Sequence, residues 1–157
     1  MLKSNMYKTI DSSRISISQL MLPSHSNFSG KIHGGYILND ISSKRDLTLI
    51  ATGSEVEIAM EASDLLNAEG IKAAVVSLPC WELFDKQDES YRKDVLGNSP
   101  RIAIEAACDM GWSKYIGDNG VFIGMKSFGA SGPADQLYKH FGINSEAIVK
   151  QAISIIK

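Results

Sequence analysis

The residues of this chain whose types and spacing could do chemistry stand where apolar, strand-like runs end. Thr52-Gly53-Ser54 separates such a run from a helical pattern, and in α/β folds a turn of this kind can present a helix N-terminus to a phosphate. Only one glycine is present, so neither a dinucleotide-binding motif nor a P-loop can be read. Glu55 and Glu57 would favour the helix dipole but repel an anion. The spacing from Ser54 to Glu57 predicts a capping box, so we interpret the turn as structural.

Glu105 is a second candidate, because it stands near the carboxyl end of another strand-like run. A partly buried carboxylate at such an edge could act as a general acid or base. No second catalytic group with matching spacing is visible. We therefore prefer a structural carboxylate that accepts backbone N–H bonds. The sequence predicts no catalytic, cofactor-binding or metal-binding residue.

Cys80 and Cys108 also stand near predicted strand ends. Either would need a nearby histidine to act as a nucleophile, and His25, His33 and His140 are too scattered to assign one. We interpret both cysteines as small apolar residues. Two unclustered cysteines argue against a disulfide framework or a cysteine zinc site, and they predict a reducing, cytoplasmic location.

Aromatic residues stand in or beside the predicted loops, where they could anchor loops to the core or fill a protein interface. They are Trp81, Phe84, Trp112, Tyr115 and Phe128. The run 85–93 carries charges of both signs, which indicates a solvated loop and helix start in preference to a partner-binding face.

Composition excludes several classes of function. The formal charge is −2, so no net positive field exists to hold nucleic acid or an acidic membrane. No apolar run approaches the ~20 residues needed to cross a bilayer. Residues 1–19 have no continuous apolar segment typical of a secretory signal. We expect neither a nucleic-acid nor a membrane partner.

The elements that must position these residues alternate from residue 46 onward. Residues 73–76 are apolar on both faces, which is typical of a parallel strand covered by helices. The alternation predicts an α/β three-layer sandwich with a mostly parallel sheet of four or five strands. Strands are predicted at 46–52, 71–78, 101–106 and 121–125, and helices at 55–69, 89–96, 134–141 and 146–156. The serine-rich residues 1–45 are predicted to form a loosely ordered arm before a domain at 46–157.

Residues 34–157 resemble the C-terminal domain of transketolase. The resemblance rests on eight segments that match in order: 34–38, 50–56, 84–88, 104–106, 112–117, 123–125, 128–134 and 137–143. It implies a cytosolic enzyme family of the pentose phosphate pathway that moves two-carbon ketol units between sugar phosphates. The family uses thiamine diphosphate and a divalent metal.

The same resemblance implies that the cofactor belongs elsewhere. Transketolases place the diphosphate and metal on an N-terminal domain and the aminopyrimidine on a central domain, and this chain contains no Gly-Asp-Gly segment followed by an asparagine-rich metal loop. In this family the C-terminal domain, the third of the three, supports the dimer. We expect a chain that is non-catalytic alone, binds no cofactor itself, and forms a homo-oligomer or joins a transketolase N-terminal and central subunit.

Two alternatives remain open. The first is a stand-alone domain that binds a small molecule or effector at the strand edge near Gly53, Pro79 and Glu105. The second comes from residues 14–38, which are similar to the opening of a hotdog-fold acyl-CoA thioesterase: a strand, a Leu-Pro…Asn…Gly loop and a Gly-Gly pair. Ser42 stands where that family has an acidic residue. The remnant of a thioesterase, joined by gene fusion or in a decayed reading frame, is the weaker hypothesis.

Overall fold

A five-stranded sheet forms the middle layer of the fold. The computed structural model describes residues 33–39, 41 and 44–156. The strands are β1 (Tyr36–Ile37), β2 (Leu47–Ala51), β3 (Ala73–Ser77), β4 (Arg101–Ile104) and β5 (Val121–Ile123). Their order is β1-β3-β2-β4-β5, with β1 antiparallel to β3 and the other pairs parallel. The predicted mostly parallel sheet is confirmed.

Helices cover both faces of this sheet. Within the described residues they are α1 (Glu55–Ala68), α2 (Trp81–Asp85), α3 (Glu89–Leu96), α4 (Ser113–Ile116), α5 (Ala134–Phe141) and α6 (Ser145–Ile156). The bounds of α3 and α5 agree with those predicted, whereas α2 is too short to give a periodic pattern. Asn144 caps α6, because its Oδ1 accepts a 2.9 Å hydrogen bond from Ala147 N. None of the described helices combines the length and the apolar character needed to span a membrane.

Alternate residues of each parallel strand enter two separate cores. In β2, Leu47 and Leu49 pack in a core with residues of α1 and α6. This is the first core. Ile50 lies in the second core, on the opposite face of the sheet, together with Phe84 and Trp112. Every residue of β2 and β3 is buried, as expected when helices cover both faces of a parallel sheet. This arrangement confirms the three layers.

The compact unit begins earlier in the chain than its composition predicts. It spans Gly34–Lys157, whereas the predicted domain starts at residue 46. The difference comes from β1, which pairs with β3 and buries Tyr36 to 5% exposure. A two-residue strand is too short to show periodicity. The predicted loose arm and the thioesterase-like segment fall mainly on residues 1–32, outside the described residues.

Two glycines test whether residue 34 belongs to the folded unit. Gly34 and Gly70 both have φ +79°, but a Cβ at Gly34 would lie 2.4 Å from both Cys80 O and Phe84 N, while one at Gly70 would meet nothing within 4 Å. Gly70→Ala should cost about 1 kcal/mol, the usual penalty for a left-handed conformation. Gly34→Ala should cost about 3 kcal/mol, because backbone atoms must also move. Urea unfolding measures both losses. Equal losses would show that Gly34 is not held against α2.

Candidate functional site

The path of the chain creates a crevice at the carboxyl edge of the sheet. Strand β2 lies between β3 and β4, so the connection from β3 to β4 passes across it. In open α/β sheets, ligands bind outside the carboxyl ends of strands where the order reverses in this way. Thr52 follows β2 and Glu105 follows β4. The two candidate segments therefore meet at one point, although they are distant in sequence.

An open cleft of about 410 Å³ lies at this point. It is lined by Thr52, by Pro79 and Cys80 after β3, and by Glu105 and Cys108 after β4. The structure thus brings together residues that the sequence singles out after three different strands. Glu57 lies apart from them, exposed on the first turn of α1.

The side chain of Ser54 does not have its predicted role. It makes no capping hydrogen bond to the backbone of α1. Its Oγ donates to Glu55 Oε1 at 3.2 Å and lies 3.1 Å from the hydroxyl of Tyr138, which also donates to Glu55 Oε1. The predicted capping box with Glu57 is therefore wrong, because α5 supplies a closer partner in the tertiary structure.

Two glutamates face each other at the edge of the sheet. Glu55 is only 3% exposed, and Glu105 Oε2 is buried without a hydrogen-bond partner among the described residues. Burial, reinforced by the negative charge of Glu55, raises the pKa of Glu105 to about 7. A backbone hydrogen bond from Thr52 opposes this shift, and it is the type of bond that the structural interpretation of Glu105 predicts. The pair can retain one proton near neutral pH.

Tyr138 is part of this cluster, and sequence reasoning did not single it out. Burial and its hydrogen bond to Glu55 raise the pKa of the Tyr138 hydroxyl. The available signal is the spacing of Ala134, Tyr138 and Phe141, which places all three on one face of α5. That spacing predicts which face turns inward, but it cannot name the glutamate that Tyr138 meets.

The cysteines do not form a recognisable nucleophilic site. Cys80 and Cys108 are both free, and Cys80 Sγ donates a 3.6 Å hydrogen bond to Glu82 Oε2. His140 lies on α5 with its ring edge-on to Phe141, while His25 lies outside the described residues. Across the described part of the chain, no three His, Cys, Asp or Glu side chains are grouped so that they could hold a metal.

The five singled-out aromatic residues divide into two groups. Phe84, Trp112 and Tyr115 are at most 2% exposed, and Trp81 packs on Trp112 with ring centroids 5.1 Å apart. These four anchor the connections to the second core. Phe128, in contrast, is 98% exposed.

The glutamate pair predicts a particular pH dependence of stability. Since the pKa of Glu105 in the folded state, about 7, exceeds its ordinary value of 4.5, the folded state keeps this proton at pH values where the unfolded state has lost it. The contribution to the free energy of unfolding is complete below about pH 4.5 and is lost as the pH rises through about 7. Glu105→Gln should therefore gain stability relative to the wild type between about pH 5 and about pH 8, measured by urea unfolding. Glu57→Gln, at an exposed position, is the control. If the difference in the free energy of unfolding between Glu105→Gln and the wild type does not change with pH, the predicted coupling is wrong.

Comparison with known proteins identifies the family of this fold. Residues 34–144 match the model of the family described as "Transketolase-like TK C-terminal domain". The transketolase of Sinorhizobium medicae is 54% identical over 125 residues, which cover 79% of this chain and 18% of the relative. The solved structure of transketolase from Leishmania mexicana is 40% identical, with a TM-score of 0.74, and the match covers 85% of this chain and 19% of that one.

A more distant solved structure shares the fold alone. It is described as "Split gene transketolase, inactive beta4 tetramer" and is 18% identical, with a TM-score of 0.66 over 87% of this chain and 46% of that one. The chain spans less than a fifth of the length of the Sinorhizobium and Leishmania relatives. Because the family model covers most of the sequence, this chain belongs to the transketolase-like C-terminal domain family.

Proposed function

We propose that this chain serves as the C-terminal module of a transketolase and is non-catalytic by itself. The observation that carries the proposal is coverage, because the chain matches 18% of the Sinorhizobium medicae transketolase and reproduces one domain of it. The module would associate with a chain that carries the N-terminal and central domains. The assembled enzyme would transfer two-carbon ketol units between sugar phosphates in the cytoplasm, as part of the pentose phosphate pathway.

Division of a transketolase between chains has a parallel among the relatives. The fold neighbour with the split-gene description is named as a tetramer of one chain type and as inactive. By extension, this chain would be stable as a module or homo-oligomer and would need a different chain for activity. This parallel supports the proposal at the level of the fold.

Thiamine diphosphate does not suit the carboxyl edge of this chain. The strand–turn–helix at Gly53 is the segment whose form is nearest to a phosphate site, and Glu55 and Glu105 lie beside it. The negative charge that this pair carries at a helix N-terminus repels a diphosphate. In the proposed assembly, thiamine diphosphate and the divalent metal are therefore held by the partner chain.

A second candidate is a stand-alone domain that binds a small effector. The cleft of about 410 Å³ at the crossover favours it, since Pro79 and Glu105 both line this cleft. In this alternative a ligand stabilises the chain without a partner, whereas the module requires a second polypeptide.

If the partner chain holds thiamine diphosphate and the metal, these ligands should not stabilise this chain by itself. Thiamine diphosphate with magnesium should leave the Tm of this chain unchanged, because a ligand stabilises only a folded state that binds it. Full-length Sinorhizobium medicae transketolase serves as the positive control under the same conditions. A clear rise in the Tm of this chain would contradict the proposal.

The association itself can be tested with a defined partner. The probe is Sinorhizobium medicae transketolase truncated before its C-terminal domain, chosen in a form that binds that domain when it is added back as a separate chain. We expect sedimentation velocity to show a complex between this chain and the probe, and ketol transfer to be measurable only in the mixture. If this chain does not sediment with the probe, the module proposal is wrong.

A further inference from the structure

The connection between β5 and α5 is the most exposed apolar part of the described chain. Phe128 is 98% exposed, and Met110 in the neighbouring connection is 80% exposed. The next most exposed large apolar residue among those described, Leu65, is 45% exposed. A phenylalanine side chain left in water forgoes about 1.5–3 kcal/mol of burial free energy. Two such residues on adjacent loops indicate a surface that another molecule covers.

The backbone of this loop makes few hydrogen bonds within the described residues, one being the 3.4 Å bond that Phe128 O accepts from Ser127 Oγ. Within the described residues, the backbone–backbone hydrogen bonds outside helices and strands include none made by 126–132. The loop is tied at its ends, where Met125 N donates to Ala107 O at 2.9 Å and Leu137 N donates to Pro133 O at 3.1 Å. Its exposed amide and carbonyl groups are therefore available to a partner backbone or side chain.

Two open cavities flank the loop and make the surface continuous. Their volumes are about 730 Å³ and about 280 Å³, and Ala106, Met125 and Gly129 border both of them. Phe128 borders the larger cavity and Leu137 borders the smaller one. Concave space beside an exposed aromatic side chain is suited to interlocking with a second surface.

Helix α5 extends the same surface. None of its eight residues is buried, although Tyr138 and Phe141 pack against the edge of the first core. This helix thus covers the core on one side, and the described residues leave its other side exposed. We refer to Met125, Phe128, Ala130 and Leu137, which border these two cavities, together as the edge surface.

The composition of the edge surface is typical of a protein interface. Residues 124–137, which hold the edge surface, contain one basic and one acidic residue, Lys126 and Asp135. Methionine and phenylalanine are enriched, and charge is depleted, at the centres of such interfaces. With so little net charge, a hydrophobic contact is favoured over an electrostatic one.

We propose that the edge surface is the docking site for a polypeptide carrying the N-terminal and central transketolase domains, with Phe128 as its anchor. The inference rests on the proposed function and adds the contact face. The occupant follows from coverage, because over four fifths of the Sinorhizobium medicae relative has no match in this chain and the edge surface lies within the family match at 34–144.

Phe128→Ser tests the anchor without disturbing the fold, because its side chain is almost fully exposed. The matched control is Leu65→Ser, which removes another exposed apolar side chain near the end of α1, where that helix has run back from the carboxyl edge of the sheet. Binding of each full chain to the truncated Sinorhizobium medicae probe is measured by calorimetry. We expect Phe128→Ser to weaken binding at least about tenfold, as for an aromatic hot spot, with its Tm unchanged. Leu65→Ser should bind like the wild type.

The outcomes separate the two proposals. Equal binding by the wild type and both variants would overturn the edge surface and leave the module function standing. Absence of wild-type binding would overturn both. Self-association of the chain that Phe128→Ser abolishes would assign the surface to a second copy and overturn the assignment to the catalytic polypeptide. Amide exchange provides a second readout, since the probe should protect 126–132 and leave the end of α1 unchanged.

Discussion

The fold depends on one constraint: β2 and β3 are buried on both faces along their whole length. Parallel strands in this situation need helices on each side. Even the polar residue in β2 meets this condition, since Thr48 is fully buried and its hydroxyl donates a 3.0 Å hydrogen bond to Leu96 O. The chain must therefore lay α1 on one face and the segment from α2 to α4 on the other.

The position of the acidic cluster follows from this constraint. Covering both faces makes the chain cross over at β2, so the segments after β2 and β4 end side by side. Glu55 and Glu105 are then close enough that the charge of one raises the pKa of the other. Tyr138 completes the cluster with its hydrogen bond to Glu55, which connects α5 to the start of α1. A carboxyl group that keeps its proton near neutral pH makes this crowding tolerable, because only one full negative charge must be accommodated.

The connections at the carboxyl edge of the sheet are covered to different extents. The connection after β4 enters the second core through Trp112, which is 2% exposed. Among the described residues, no further layer covers the connection after β5, and Phe128 and α5 face outward. An apolar surface of this kind is typical of a face that another protein surface covers.

The sequence by itself determined the features that depend on local pattern. The apolar run at 73–76 indicates a buried parallel strand, α3 and α5 end before the glycines Gly97 and Gly142, and Asn144 is a local cap. These features need only residues a few positions apart. Eight matching segments also identify the family, because each carries side chains at fixed places in one fold.

The tertiary structure alone decided the features that depend on which distant residues meet. Strand β1 exists because β3 offers a free edge, and Ser54 bonds to Glu55 and Tyr138 because α5 packs beside the turn. Trp112 and Phe128 look alike in sequence, both aromatic and both beside loops, yet one is 2% and the other 98% exposed. Local pattern predicts that a side chain is apolar, but only the packing of the layers decides whether this chain or another molecule covers it.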